Sequence, residues 1–143
     1  MVNEHLSRST DETRSIGKQF AAALKPGMVV SLTGDLGAGK TTLVQGMAEA
    51  FGITEPVVSP TFVIVAEYRG TSITLFHSDL YRLDTPKEIE NLALPELLDQ
   101  GVLVVEWGER WLSQWPDPDF RVTLEVVDPA TRKIVIDKKG ERS

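Results

Sequence analysis

The chain has 143 residues, 41% of them hydrophobic and 25% charged, enough for one sizeable core and ordinary for a globular domain. Its formal net charge of -6 lacks the basic footprint of a protein that grips nucleic acid unaided, so any role with RNA or DNA is expected to run through a partner. The absence of cysteine excludes disulfides, thiolate metal sites and cysteine nucleophiles.

The opening stretch "MVNEHLSRSTDETRS" is polar and lacks the apolar centre of a secretory signal. No apolar run approaches the roughly 20 residues that span a bilayer. A soluble, cytoplasmic protein is the expectation, forming a single domain over 1–143 with flexible ends at 1–8 and 138–143. His5 falls in the first of these ends.

Ser9 and Glu12 have capping-box spacing, and Asp11 and Glu12 suit the positive end of a helix dipole. Ile16, Phe20 and Leu24 follow at intervals of four, and Pro26-Gly27 ends the helix. "MVVSLT" (28–33) reads as a buried strand, and "KTTLVQGMAEAF" after it as a helix with Gly52 at its C-terminal cap. "FVIVAEY" and "ITLFHS" read as strands joined by "RGTS". "TPKEIENLALPELLDQG" predicts one or two short helices, broken at Pro95 and ended by Gly101. "VLVVE" is an apolar strand ending in an acid. "WGERWLSQW" is a short helical or irregular piece, and "RVTLEVV" and "RKIVID" form a last hairpin around "DPAT". The order of elements predicts an α/β fold, a three-layer P-loop NTPase-like sandwich with a mixed central sheet.

The strand at 28–33 leads into "GDLGAGKTT", which fits G-x-x-x-x-G-K-[ST] at Gly34, Gly39, Lys40 and Thr41. A polyphosphate needs several backbone N–H groups pointing inward together, and side chains would obstruct that approach. The loop Gly34, Asp35, Leu36, Gly37, Ala38, Gly39 meets the need, and the helix beginning near Lys40 adds its unsatisfied N–H groups and positive dipole end. Lys40 is placed to reach outer phosphates, Thr41 to offer a hydroxyl to Mg²⁺, and Thr42 to bond a phosphate. A tight strand-to-helix turn without a ligand is the competing reading. The strand before and the helix after favour the phosphate loop.

Such a loop also needs acids for Mg²⁺ and for water. Two strand ends supply them, Glu106 after "VLVV" and Asp79 after "TLFHS"; the sequence leaves open which ligates the metal directly. His77 reads as a hydrogen-bonded strand-end histidine. Tyr81 and Arg82 are candidates for phosphate contact or packing, Trp107 for stacking near a nucleotide, and Trp111 and Trp115 for covering the core. No N-K-x-D segment is present, which disfavours GTP.

Four segments in this order, "GDLGAGKTT", "SPTF" (59–62), "HSDLYRL" (77–83) and "VVEWGER" (104–110), closely resemble the TsaE (YjeE) family, with likeness from about Thr10 to Ile136. The resemblance implies a small bacterial ATPase needed for threonylcarbamoylation of adenosine 37 in tRNA. ATP and Mg²⁺ would be its cofactors, and it would act on a TsaD–TsaB assembly for which TsaC provides the activated intermediate. By the same resemblance, Lys40 and the loop amides bind phosphates. Thr41 and Glu106 surround Mg²⁺, and Ser59 and Thr61 belong to a switch-like loop. Asp79 orients or deprotonates water or assists the metal, Trp107 lies near the nucleotide, and Asp11, Thr13 and Arg132 border the adenine. Asp79 and Glu106 are thus the catalytic acids. One departure is visible: Ser78 stands where the family usually carries an aromatic residue. A small P-loop metabolite kinase is the alternative, although only Arg69 and Arg82 lie between Gly52 and Gly101 and no arginine-bearing lid is apparent.

Overall fold

A computed structural model of the chain describes residues 2–35, 38–60, 64–80, 83, 85–107 and 110–140, with the backbone alone at residue 2. Among the described residues, seven strands and three α-helices follow in the order β1 (Val2–Ser7), α1 (Thr10–Phe20), β2 (Val29–Gly34), α2 (Lys40–Ala50), β3 (Val65–Arg69), β4 (Thr74–Asp79), α3 (Pro86–Asn91), β5 (Val102–Glu106), β6 (Phe120–Asp128) and β7 (Thr131–Lys138). Short 3₁₀ turns follow α1 at Ala21–Ala23 and precede β5 at Leu94–Asp99. The strands form one sheet in the order β1-β7-β6-β2-β5-β4-β3. The central pairs β6–β2, β2–β5 and β5–β4 are parallel, and the outer pairs β1–β7, β7–β6 and β4–β3 are antiparallel. The fold is therefore α/β with a mixed sheet.

Period-two alternation along the parallel strands feeds two cores. Val30, Leu32, Val102 and Val104 face α1 and α2, where they pack with Leu43, Val44, Met47 and Phe51. Val29, Leu103 and Val105 face the other side, under Ile89, Leu94 and Leu112. Because both faces are covered, β5 has no polar position until Glu106, and all five of its residues are buried. Phe20 and Phe120 meet edge to face with centroids 5.0 Å apart, tying the end of α1 to the sheet.

Helix α1 begins as its sequence dictates. Ser9 is the N-cap, and its side chain accepts from the Glu12 N–H at 3.0 Å. Glu12 reaches back to the Arg8 N–H at 2.7 Å, one residue before the cap. The break in the second helical region comes at Ala93, whose φ of 49° is left-handed, and Pro95 sits in the first turn of the following 3₁₀ piece.

Two expectations about the ends need correction. Residues 2–7 are a strand, paired with β7 from Val2↔Asp137 to Ser7↔Arg132. Its amides are satisfied by the ladder, so a polar sequence without an apolar run suffices at a sheet edge. His5 belongs to this strand, opposite Ile134. At the other end, Lys138 completes β7 and the Lys139 N–H donates to the Asp119 carbonyl at 2.8 Å. Among the described residues, no helix is long and apolar enough to cross a membrane.

Candidate functional site

Strands β2, β4 and β5 run parallel and end on one edge of the sheet, where their C-termini meet the start of α2. Ligands in open α/β sheets bind at this kind of edge. A cleft of about 560 Å³ opens here, lined by Thr13, Lys40, Thr41, Thr42, Asp79 and Glu106 at its core. Ser59 and Trp107 border it on one side, and Arg8, Ser9, Thr10, Pro129, Ala130 and Arg132 on the other. Its size is that of a small-molecule site.

The turn from β2 into α2 passes through Gly39, the N-cap of α2, at φ 101°. Glycine takes that conformation at little cost, whereas a residue with a Cβ is strained there. Lys40 then begins the helix with its side chain 92% buried, unusual for an ammonium. Nζ donates to the Gly34 carbonyl at 2.7 Å, lies 3.9 Å from Glu106 Oε1, and sits 5.5 Å from the Trp107 ring centroid. Trp107 adopts φ 58°, a left-handed backbone that a bulky residue enters only at a cost, and its indole also faces the Arg110 guanidinium at 5.8 Å. Arg110 in turn donates to the carbonyls of Leu80 and Leu83. One residue after Glu106, the chain thus folds an aromatic ring over the lysine and ties itself to the segment after β4.

Two acids line the same cleft. Asp79 and Glu106 end adjacent parallel strands in direct register, and both are buried, at 5% and 4% exposure. His77 Nε2 lies 2.6 Å from Glu106 Oε2, with the histidine fully buried. Four ionisable side chains, Lys40, His77, Asp79 and Glu106, therefore sit out of water at one end of the sheet. Burial of that many charges opposes stability unless a ligand or a reaction uses them.

The expected site residues divide into four groups. Thr13, Gly39, Lys40, Thr41, Thr42, Ser59, Asp79, Glu106, Trp107 and Arg132 are brought together around the cleft. Gly34 and Ala38 shape the loop behind it: Gly34 supplies the carbonyl that holds Lys40, and Ala38 is buried with its N–H on the Asp35 carbonyl at 3.0 Å. Asp11 and Asp35 are exposed and are not among the cleft-lining residues; Asp11 instead meets Arg14 at 3.3 Å, since a two-residue step on a helix turns it away from Thr13. Leu36, Gly37 and Thr61 lie outside the described residues, as do Tyr81 and Arg82. Sequence reasoning missed Arg8, Ser9, Pro129 and Ala130 as lining, along with the His77–Glu106 contact. A hint was present for Ser9, because an N-cap position leaves nearby helix N–H groups at the same end.

Comparisons with known proteins agree with one another. The family described as threonylcarbamoyl adenosine biosynthesis protein TsaE matches residues 7–134. A protein of Bacillus subtilis named tRNA threonylcarbamoyladenosine biosynthesis protein TsaE is 42% identical over 133 residues, covering 92% of this chain and 83% of its own length. A protein of the same name from Treponema pallidum is 39% identical, covering 92% of this chain and 97% of its own. The crystal structure of Bacillus subtilis YdiB superposes with a TM-score of 0.83 at 35% identity, covering 98% of this chain and 87% of that one.

Proposed function

The chain belongs to the TsaE family of tRNA threonylcarbamoyladenosine biosynthesis proteins, and from that premise we propose that it is an ATP-hydrolysing switch acting on a TsaD–TsaB assembly that modifies adenosine 37. The observation that carries the reading is Lys40: a buried ammonium at the start of a helix, held on a carbonyl of its own glycine turn, 3.9 Å from the buried Glu106, in a cleft that the buried Asp79 also lines. An anion of several charges is the ligand that such a group and the adjoining amides are built to receive. Lys40 exchanges the Gly34 carbonyl for an outer phosphate oxygen, Thr42 bonds a phosphate, and Trp107 covers the lysine side. Thr13 and Arg132 border the base. Asp79 holds the attacking water and takes its proton as the bond between the γ-phosphorus and ADP breaks.

Mg²⁺, bound with the nucleotide, neutralises charge on the β- and γ-phosphates. Thr41 and Glu106 are the residues that would hold it. One hydroxyl and one carboxylate, both lining the cleft, suit Mg²⁺, which takes one or two protein oxygens and completes its shell with phosphate and water. The acidic surface fits a protein whose substrate RNA is handled by its partners.

Reconstitution with the TsaD and TsaB counterparts tests the reading. Multi-turnover modification of tRNA is expected to require this chain and hydrolysable ATP. Equal turnover without the chain, or with a non-hydrolysable analogue in place of ATP during its step, contradicts the switch.

A further inference from the structure

We propose that His77 is a positioning residue, whose Nε2 holds one oxygen of Glu106 and so fixes which carboxylate oxygen faces the cleft. The inference rests on the nucleotide reading above for its consequence, but on the structure alone for its geometry. His77 lies on β4, two residues before Asp79, and the parallel register places it opposite Val104, two residues before Glu106. Its ring is fully buried, and Nε2 is 2.6 Å from Glu106 Oε2. The other nitrogen, Nδ1, is enclosed and has no hydrogen-bond partner among the described residues.

Hydrogen-bond geometry decides which ring nitrogen faces Glu106 with a hydrogen. A ring carrying its hydrogen on Nδ1 alone would bury a donor with no acceptor among the described residues and set a nitrogen lone pair against a carboxylate oxygen at 2.6 Å. A hydrogen on Nε2 is instead satisfied by Glu106. Lys40 stands 3.9 Å from the opposite oxygen, Oε1. The two oxygens are therefore divided: Oε2 is pinned by the histidine, and Oε1 is left to the lysine and the cleft. With rotation of the carboxylate blocked, a metal arriving with nucleotide meets one oxygen in one place. Partners behind a metal-binding carboxylate commonly change metal affinity 10–100-fold when removed.

A histidine serving only to fill space would behave differently, and two substitutions separate the roles. His77→Gln keeps an N–H near the Nε2 position, while His77→Leu fills the volume without a donor. Mg²⁺ affinity is measured by calorimetry on protein saturated with a non-hydrolysable ATP analogue, beside affinity for the analogue in EDTA. His77→Leu is expected to weaken Mg²⁺ binding about 10–100-fold, and His77→Gln to restore it to within a few-fold. Affinity for the analogue in EDTA stays the same in all three proteins. Unchanged Mg²⁺ binding in His77→Leu, or equal losses in both variants, overturns the proposal. The imidazole nitrogen spectrum of the nucleotide-free wild-type protein at neutral pH decides the geometry even where neither variant folds. A ring carrying a hydrogen on Nε2 is expected, and a ring protonated on Nδ1 alone overturns the proposal. Failure of the wild-type protein to bind the analogue would instead count against the nucleotide reading, leaving the ring's protonation to be judged by the spectrum.

Discussion

The antiparallel hairpin and the parallel centre of the sheet treat charge in opposite ways. In the β6–β7 hairpin, buried and open positions alternate along β6, and Arg121 and Glu125 stand in water. Apolar residues such as Val122 and Leu124 do the packing. In the parallel centre, β5 is apolar until Glu106 and β4 ends in three polar residues, and there His77, Asp79 and Glu106 are buried at the same edge as Lys40. The hairpin places its charges where hydration is free. The parallel centre places them where desolvation is expensive, along with a left-handed tryptophan. A fold selected only for stability would fill such positions with apolar side chains, and this cost is what makes the edge the candidate site for ligand chemistry.

The largest expected effect follows from removing one of those buried groups. Lys40→Ala and Asp79→Ala should each lower ATP turnover, Lys40→Ala by about 10²–10³-fold, the scale of losing one preorganised charge contact in a transition state. Steady-state phosphate release reads both. Wild-type turnover in Asp79→Ala would remove that residue from the chemistry while leaving Lys40 as a binding group.

A second substitution tests the layer that holds α2 and its lysine in place. A Cβ at Gly46 would lie 1.9 Å from the Arg14 carbonyl oxygen, so α1 and α2 approach closely only because no side chain intervenes. Gly46→Ala should cost about 1–3 kcal/mol in denaturant unfolding, since backbone must move to admit the methyl. An unchanged midpoint would show that the two helices separate easily.

A smaller effect of opposite sign is expected at Ser78, inside the parallel centre. Its hydroxyl is buried without a hydrogen-bond partner among the described residues, on the strand between His77 and Asp79. Unlike its ionisable neighbours, it shows no use for its polarity. Ser78→Ala should leave stability unchanged or raise it by about 1 kcal/mol. A loss of that size would reveal a bond that the hydroxyl makes.

The smallest effect belongs to the hairpin turn beside Arg132. The Ala130 N–H, at 2.9 Å, and then the Thr131 hydroxyl hold the Asp128 carboxyl below its ordinary value. A folded-state value that is depressed contributes stability above the unfolded carboxylate range near about 3.9. That contribution disappears as pH falls through the depressed value. Asp128→Asn should lower Tm at neutral pH by no more than roughly 2 °C and abolish this part of the acid dependence. Identical Tm-against-pH curves for the two proteins would remove the turn's electrostatic role.

The sequence disclosed those parts of the fold whose cause is local. Ser9 caps α1 because a hydroxyl and Glu12 stand three apart, and β5 is buried because it is apolar throughout. Strand β1 was hidden because its stability comes from a ladder with β7, more than a hundred residues away in the chain, and not from its own composition. For the site, the glycine turn, Lys40 and both acids were legible as motifs. The His77–Glu106 contact was not, because it depends on the register of two parallel strands and joins residues 29 apart. The position of Asp11 failed to follow its neighbour Thr13 for a simple reason: helical rotation separates residues two apart, which a linear motif does not record.

Titration calorimetry of the folded protein with Mg-ATP tests the central claim most directly. Saturable binding is predicted for the wild-type chain, with a marked loss of affinity in Lys40→Ala. Absence of heat and of saturation in a well-folded wild-type protein would contradict the assignment of this cleft to a nucleotide.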